Sequence, residues 1–323
     1  MKLKKVFLIV LLAIIIIGII GGLFVYRKNK KDTNKIKVVA SNFASYDFLR
    51  AILGGTDTDD VELTFLLGPG KNAHSYDPTA QDIIKIQNAD MFVYIGGEME
   101  SWSKKVLESI DTSKKKVICI ADDVEKLDEE DVDGAEPEEE EEEEEGAFDE
   151  HIWTSPLNAI SMVNALEKGM EEINPSKKDT YKVNAGAYIN EIQKVDREIK
   201  GILKEKKRNH LVFGDKMPMQ YFIKYYNLDV SAAFGGCSTE TEPSSKTIAY
   251  LVDTVKKDNI PVVLYIEMND GKVARTIANE VGNNCKAMQI QTLHNVSLDD
   301  FKNGETWVSL MKRNEDVLRA ALD

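Results

Sequence analysis

A long helical pattern separates two series of alternating strands and helices, and this order constrains the fold most strongly. Residues 176–207 contain no proline, and only Gly186 and Gly201 weaken the pattern. A helix of that length reaches roughly 45 Å at about 1.5 Å per residue. Strands that alternate with helices on both sides imply parallel sheets. We therefore predict an α/β fold of two Rossmann-like lobes joined by a long linking α-helix. One larger α/β domain with an inserted acidic loop is the alternative.

The same pattern sets the predicted domain boundaries. About 290 residues follow the N-terminal segment, which is more than one compact core usually holds, so two lobes are expected. The predicted regions are an N-terminal segment with a basic linker (1–35), an N-terminal lobe (36–175), a linking helix (176–207) and a C-terminal lobe (208–323).

The chain begins with an apolar run between two basic clusters. After MKLKK, the run VFLIVLLAIIIIGIIGGLFVY carries no charge and is followed by RKNKK. About 20 apolar residues are enough to cross a bilayer. No small-residue cleavage pattern follows the run, and no cysteine lies near its end to carry a lipid. We predict an uncleaved membrane anchor, with a cleaved signal peptide as the alternative, and an extracytoplasmic location for the remainder.

The negative charge is concentrated in one segment. Residues 122–150 hold 19 acidic side chains and one lysine, whereas the whole chain has a net charge of −14. This composition predicts a disordered acidic loop over 122–149, which could also collect divalent cations weakly. The rest of the chain has no basic cluster interleaved with aromatic residues, so nucleic acid is not expected as a partner.

The three cysteines are too few for a disulfide framework. Cys237 and Cys285 could pair in an oxidising compartment, because both lie in the C-terminal half. Buried free thiols are the expected state.

Three of the four histidines follow strand-like runs or the acidic block. They are His74 in KNAHSYDP, His151 in FDEHIWTSP and His294 in IQTLHNVS, whereas His210 follows a basic helix end and is expected to be a surface or capping residue. Ligand sites gather at strand ends in α/β proteins. Three imidazoles and one carboxylate would make a tetrahedral zinc site, whereas more carboxylates would favour manganese. The common hydrolase and nucleotide-binding motifs are absent from the sequence.

Longer segments around these histidines resemble one known family. The stretch VELTFLLGPGKNAHSYDPTAQDIIKIQNADMFVYIGGEMESW is similar to the solute-binding proteins of zinc and manganese ABC importers. EHIWTSPLNA resembles that family's DPHIW segment, with Glu150 where Asp-Pro is usual, and DTYKVNAGAYINEIQKVDREI resembles its linking helix. The resemblance extends over residues 36–323.

The resemblance implies a set of metal ligands. His74 and His151 would come from the N-terminal lobe, and His294 lies within one residue of the family's usual aspartate ligand. The family's third ligand, a histidine or glutamate before the YF helix, has no direct counterpart in GDKMPMQYF. We predict Asp215 as this ligand, although Lys216 is the competing alignment.

Two other carboxylates are alternatives to Asp215. Glu240 lies in STETEPS and Glu267 in YIEMND. At the position of Glu267 a glutamate more often pairs with a basic residue, here Lys272 or Arg275.

The resemblance implies a receptor that binds its ligand without turnover. It would be a membrane-anchored, extracytoplasmic monomer that binds Zn²⁺ and passes it to an ABC permease with a separate ATPase. A receptor for manganese or another divalent cation is the near alternative, and a zinc-dependent enzyme or a surface adhesin are alternatives of a different class. Because imidazole must be neutral to bind metal, affinity is expected to fall below about pH 6.5.

Overall fold

The structure is a computed structural model that describes residues 35–56, 58–136, 148–235, 242–282 and 284–323. The predicted anchor, Cys237, Glu240 and the run of eight glutamates lie outside the described residues. Within the described ranges, no helix is long and apolar enough to cross a membrane.

The N-terminal lobe is built on a sheet of four parallel strands in the order β2-β1-β3-β4. The strands are β1 (Ile36–Ala40), β2 (Val61–Phe65), β3 (Met91–Tyr94) and β4 (Lys116–Cys119). The helices are α1 (Phe43–Leu53), α2 (Ala80–Gln87), α3 (Trp102–Ser109) and α4 (Pro156–Ile173). Helix α2 begins where Thr79 and Asp82 form a capping box. The alternation that the sequence predicts is therefore present in this lobe.

The C-terminal lobe repeats this plan with parallel strands in the order β6-β5-β7-β8. The strands are β5 (His210–Lys216), β6 (Asp229–Phe234), β7 (Val262–Ile266) and β8 (Lys286–Ile290). The helices are α6 (Gln220–Tyr226), α7 (Ser245–Lys257), α8 (Lys272–Val281), α9 (Leu298–Lys302) and α10 (Trp307–Leu322). Short helix α9 is an addition to the predicted elements, since SLDDFK is too short to show a periodic pattern.

The linking helix α5 spans Lys178–Glu205, close to the predicted 176–207. Its buried side chains recur every three to seven residues: Tyr181, Ala185, Ile192, Val195, Ile199 and Ile202. This spacing places them along one face of the helix. Helix α5 contacts α1 and α4 of the N-terminal lobe and α10 of the C-terminal lobe, and its apolar face joins their cores.

A buried carboxylate ties the linking helix to both lobes. Asp47 in α1 accepts a hydrogen bond from the Trp307 backbone N–H at 2.7 Å and from the Tyr188 hydroxyl. Arg50 pairs with the same carboxylate and donates to the Glu305 carbonyl at 2.7 Å. Burial raises the pKa of Asp47, and Arg50 opposes that shift. The starts of α1 and α10 are thereby held against α5.

Residues 124–136 form an ordered strap between the lobes, so the predicted disordered loop over 122–149 does not describe this part. The Ala232 N–H donates to the Asp133 carbonyl at 3.2 Å, and the Glu136 N–H donates to the Ala233 carbonyl at 3.0 Å. The strap thus lies along the edge of β6. The acidic composition concealed its apolar residues, because Val124, Leu127 and Val132 pack against the core.

A glycine allows the strap to approach helix α7. Gly134 has a φ of 84°, and a Cβ at this position would lie 2.3 Å from the Tyr250 ring. Any other residue would therefore meet both backbone strain and a ring contact.

Candidate metal centre

His74 lies in the loop that leaves β2. Gly68 and Gly70 adopt φ values of 75° and 77° and turn the chain back towards the end of the sheet. The His74 N–H then donates to Asn72 Oδ1 at 3.0 Å, within the same loop. A local turn therefore sets the position of this histidine.

His151 lies in the loop before α4 and is buried. Asp149 Oδ1 accepts from the His151 backbone N–H at 2.8 Å and lies 2.7 Å from its Nδ1. A carboxylate at Nδ1 assigns the ring proton to that nitrogen and leaves Nε2 as the metal-binding atom. This role of Asp149 is not predicted from the sequence, although an acidic residue two positions before a ligand histidine is the available signal.

His294 lies in the loop that leaves β8, directly after Leu293, which has a φ of 59°. Its Nε2 is buried and has no hydrogen-bond partner within the described part of the chain. A buried nitrogen without a partner is costly unless a ligand satisfies it. This atom therefore fits a metal ligand.

The structure brings the three predicted histidines together. One ring nitrogen from each lies within 4.8 Å of the others. The His74 and His294 rings are stacked with centroids 5.1 Å apart, and the His151 centroid lies 5.9 Å and 5.6 Å from them. Three nitrogen donors at this separation suit Zn²⁺, which is usually four-coordinate. The set leaves one coordination position for another donor.

The electrostatic surroundings keep two of the rings neutral. Burial, followed by the His151 and Lys216 charges, lowers the pKa of His74 from 6.5 to about 3. Burial also lowers the pKa of His294 well below 6.5, and His151, His74 and Lys216 add to that shift. Protons should therefore compete with the metal for these two rings only well below pH 6.5, the value expected from the sequence. The two shifts also indicate that the positive charge of Lys216 lies near the cluster.

Asp215, the predicted fourth ligand, is not part of this group of ligand atoms. Its buried carboxylate accepts from the Lys216 N–H at 2.8 Å, the Ile266 N–H at 3.0 Å and Asn269 Nδ2 at 2.9 Å. Burial raises its pKa, and these hydrogen bonds oppose the shift. The oxygens of Asp215 thus hold the ends of β5 and β7 together.

Glu267, the alternative to Asp215 within the described residues, lies beside the His294 loop. Glu267 is buried and accepts from the backbone N–H groups of Thr292 and His294. Within the described residues it forms no ion pair with Lys272 or Arg275. Lys272 pairs with Glu242, and Arg275 lies over the Tyr265 ring.

The fourth histidine is partly buried and lies outside the cluster. His210 at the start of β5 lies 3.0 Å from Asp258 Oδ2 through Nδ1 and 3.0 Å from Ser231 Oγ through Nε2.

Hydrogen bonds join the loops of the two lobes around the histidines. The Gly70 N–H donates to the Val296 carbonyl at 2.9 Å, and Asn295 Nδ2 donates to the Gly68 carbonyl at 3.1 Å. Trp153 Nε1 donates to the Thr292 carbonyl at 3.0 Å. The loops that carry His74, His151 and His294 are therefore in direct contact. Sequence reasoning missed these cross-lobe contacts, because no local pattern encodes them.

Comparison with known proteins identifies the family of this chain. The family model for ZnuA, the periplasmic component A of the zinc-uptake complex, matches residues 38–321. The chain belongs to this family. The family resemblance inferred from the quoted segments is thus confirmed.

Named relatives are similar over most of the chain. The zinc-binding lipoprotein AdcA of Streptococcus pneumoniae (strain R6) is 31% identical over 294 residues, which are 91% of this chain and 57% of that protein. The chain thus spans little more than half of that relative. The high-affinity zinc uptake system protein ZnuA of Bacillus subtilis is 30% identical over 90% of this chain and 88% of its own length.

Solved structures confirm the two-lobed α/β fold. The Zn(II)-bound ZnuA-like domain of Streptococcus pneumoniae AdcA has a TM-score of 0.72 at 30% identity, covering 90% of this chain and 99% of that domain. The metal-dependent lipoprotein YcdH from Bacillus subtilis has a TM-score of 0.74 at 26% identity, covering 89% of this chain and 99% of its own.

Proposed function

We propose that this chain is an extracytoplasmic receptor that binds Zn²⁺ through His74, His151 and His294 and delivers it to an ABC import permease. The observation that carries the proposal is the convergence of three imidazoles from the loops of two lobes. Membership of the ZnuA family and the zinc-binding names of the relatives support it. The chain acts by coordination and release, without chemical turnover.

The donor set favours zinc over manganese. Imidazole nitrogen suits Zn²⁺, whereas Mn²⁺ prefers sites richer in carboxylate oxygen. Two carboxylates that contact the ligand histidines, Asp149 and Glu267, are engaged with the His151 ring and with the His294 backbone. Three nitrogen donors and one further ligand would complete a tetrahedral zinc site.

The identity of the fourth ligand is a separate part of the proposal. Asp215 remains the predicted candidate, but its hydrogen bonds give a different expectation for its loss. If Asp215 only holds β5 and β7 together, Asp215→Asn keeps stoichiometric zinc and lowers thermal stability. If Asp215 is a ligand, the same variant loses zinc as the histidine variants do.

Delivery requires the contacts between the lobes to change. The metal would lie between loops that share the Gly70–Val296 and Trp153–Thr292 hydrogen bonds. Releasing Zn²⁺ therefore requires at least one of these loops to move. Docking of the permease on both lobes would supply the free energy for that movement.

The remaining predictions are consistent with this role. We propose that residues 1–35 anchor the chain to the membrane and that residues 36–175, 176–207 and 208–323 form the lobes and linker. One chain supplies all three histidines, so a monomer is sufficient. The permease and its ATPase are the expected partners.

Metal analysis of the ectodomain tests the proposal. The protein, purified without its first 34 residues and dialysed against a limiting Zn²⁺ buffer, is expected to retain one Zn²⁺ per chain. His74→Ala, His151→Ala and His294→Ala are each expected to lose it. His210→Ala is the matched control, because His210 is also partly buried in the C-terminal lobe but lies outside the cluster. Retention of stoichiometric zinc in all three cluster variants would reject the site.

A further inference from the structure

A buried glutamate holds the turn that carries His294. Glu267 follows the last residue of β7 and is 8% exposed. Its Oε2 accepts from the Thr292 N–H at 2.7 Å. Its Oε1 accepts from Thr292 Oγ1 and from the His294 N–H, both at 2.9 Å. Both oxygens are thus occupied by donors from one three-residue turn.

The residue between those two N–H groups has a strained backbone. Leu293 has a φ of 59° and is 1% exposed, so a branched side chain is buried in the left-handed region. L-residues with a Cβ avoid this region because the Cβ crowds the following carbonyl. Such strain persists only where the surroundings fix the conformation. The left-handed residue aims the Thr292 and His294 N–H groups at the same carboxylate.

We infer that Glu267 is a positioning residue, which fixes the His294 imidazole for the metal by holding the backbone on both sides of Leu293. The inference rests on the proposed function, because it assigns a role in the same site. Glu267 is thereby neither a ligand nor the partner of a base. Its contribution passes through the orientation of His294.

A second carboxylate fixes Glu267 in turn. Asp215 at the end of β5 accepts from the Ile266 N–H and from Asn269 Nδ2, which flank Glu267. Asp215 accepts from the last residue of β7 and the loop after it, and Glu267 accepts from the loop after β8, because β5 pairs with β7 and β7 with β8. The position of His294 thus depends on β5 through a chain of contacts made by Asp215, the β7 loop and Glu267.

Glu267→Gln tests this role with little change in volume. The amide keeps one acceptor oxygen but turns an NH₂ group towards a backbone N–H, so one side of the Leu293 turn is released. Loss of a residue that orients a ligand typically weakens metal binding by about 10–100-fold. We expect a loss of that size in Zn²⁺ affinity, measured by competition with a chromophoric chelator. Glu280→Gln, an exposed glutamate on α8, is the control and should leave affinity unchanged.

A double-mutant cycle separates positioning from general destabilisation. If Glu267 acts through His294, Glu267→Gln should change affinity by less than about threefold when His294 is already alanine. An equal loss of Zn²⁺ affinity from Glu267→Gln in wild type and in His294→Ala would overturn the inference. Co²⁺ is an independent probe: wild type and Glu280→Gln should share one visible spectrum, and Glu267→Gln should alter its band positions or intensity.

A further variant covers the case in which Glu267→Gln does not fold. Leu293→Gly removes the conformational penalty, because glycine adopts positive φ freely. Adding Glu267→Gln to Leu293→Gly is expected to cost less affinity than adding it to wild type, or to restore folding. An undiminished loss would count against the inference. Failure of wild type itself to bind Zn²⁺ would instead reject the proposed function.

Discussion

The two lobes hold their histidines by different means. In the N-terminal lobe, the His74 and His151 backbones are held by Asn72 and Asp149, each two residues earlier in the chain. In the C-terminal lobe, His294 is held by Glu267, which lies 27 residues earlier in the chain, directly after the neighbouring strand β7. His151 is also fixed through its ring nitrogen, whereas the Nε2 of His294 has no partner within the described residues.

This difference separates a locally formed half of the site from one that depends on tertiary structure. The hydrogen bonds to the backbones of the two N-terminal ligands come from within their own loops. The C-terminal ligand needs the β5, β7 and β8 loops to be in register. A perturbation of the C-terminal sheet should therefore reach His294 before it reaches the other two histidines.

Removing a ligand gives the largest expected effect. His151→Ala and His294→Ala should each lower Zn²⁺ affinity about 100-fold or more, because roughly 10–16 kcal/mol of zinc-binding free energy is shared among about four ligands. Isothermal titration with a competing chelator measures this. A loss at His151 without one at His294 would show that His294 is not a ligand.

Removing the carboxylate behind His151 gives the next effect. Asp149→Ala should lower Zn²⁺ affinity about 10–100-fold, because the imidazole loses the acceptor that orients it. Asp122→Ala, an exposed aspartate of the same acidic segment, is the control and should change nothing. An Asp149→Ala protein with wild-type affinity would show that the loop alone positions His151.

The pH dependence of stability tests whether His74 is neutral in the metal-free protein. With a folded-state pKa of about 3 against 6.5 when unfolded, the unfolded chain binds the extra proton between these values. This contribution therefore lowers stability as the pH falls below 6.5. At pH 5, protonation of His74 in the unfolded chain alone should lower the free energy of unfolding by roughly 2 kcal/mol.

Chemical denaturation of wild type and His74→Gln at pH 7.5 and 5.0 measures that cost. Between pH 7.5 and 5.0, the free energy of unfolding should fall by this amount more in wild type than in His74→Gln. Glu100, whose pKa burial raises to about 7, acts in the opposite sense in both proteins and cancels in the comparison. An unchanged difference between the two proteins would place the pKa of His74 near its ordinary value.

Removing the positive charge of Lys216 gives the smallest expected effect. Lys216→Met should tighten Zn²⁺ binding by about three- to tenfold, because a cation near the cluster repels the metal through a partly screened medium. Lys286→Met, an exposed lysine on β8, is the control. Weaker binding by Lys216→Met would instead indicate that Lys216 supports the site.

The features that the sequence predicts correctly are local ones, and those that it does not predict depend on long-range contacts. The strands, helices and three histidines were predictable, because hydrophobic periodicity and strand-end position are encoded within a few residues of each other. The fit of Glu267 to the His294 turn was not predictable, because it depends on the pairing of β7 with β8. The strap was missed because composition hid the apolar side chains of Val124 and Leu127.

The metal-ligand assignments divide in the same way. The assignment of His74 and His151 rests on motif and strand-end position, and that of His294 on a slightly shifted alignment; the structure brings the three together. Asp215 is the nearest carboxylate in the shifted alignment. Its buried oxygens accept hydrogen bonds from backbone N–H groups of β5 and β7, which sequence separation does not reveal.

The strap changes how freely the two lobes can move. Because residues 133–136 of the strap hydrogen-bond to β6 and α5 contacts both lobes, the described part of the chain joins the lobes at the strap as well as at α5. A single connecting helix would permit wide bending and twisting, whereas a second connection restricts the lobes to smaller rotations. Exchange of the cation should then be limited by rearrangement of the loops around it, and spontaneous dissociation should be slow.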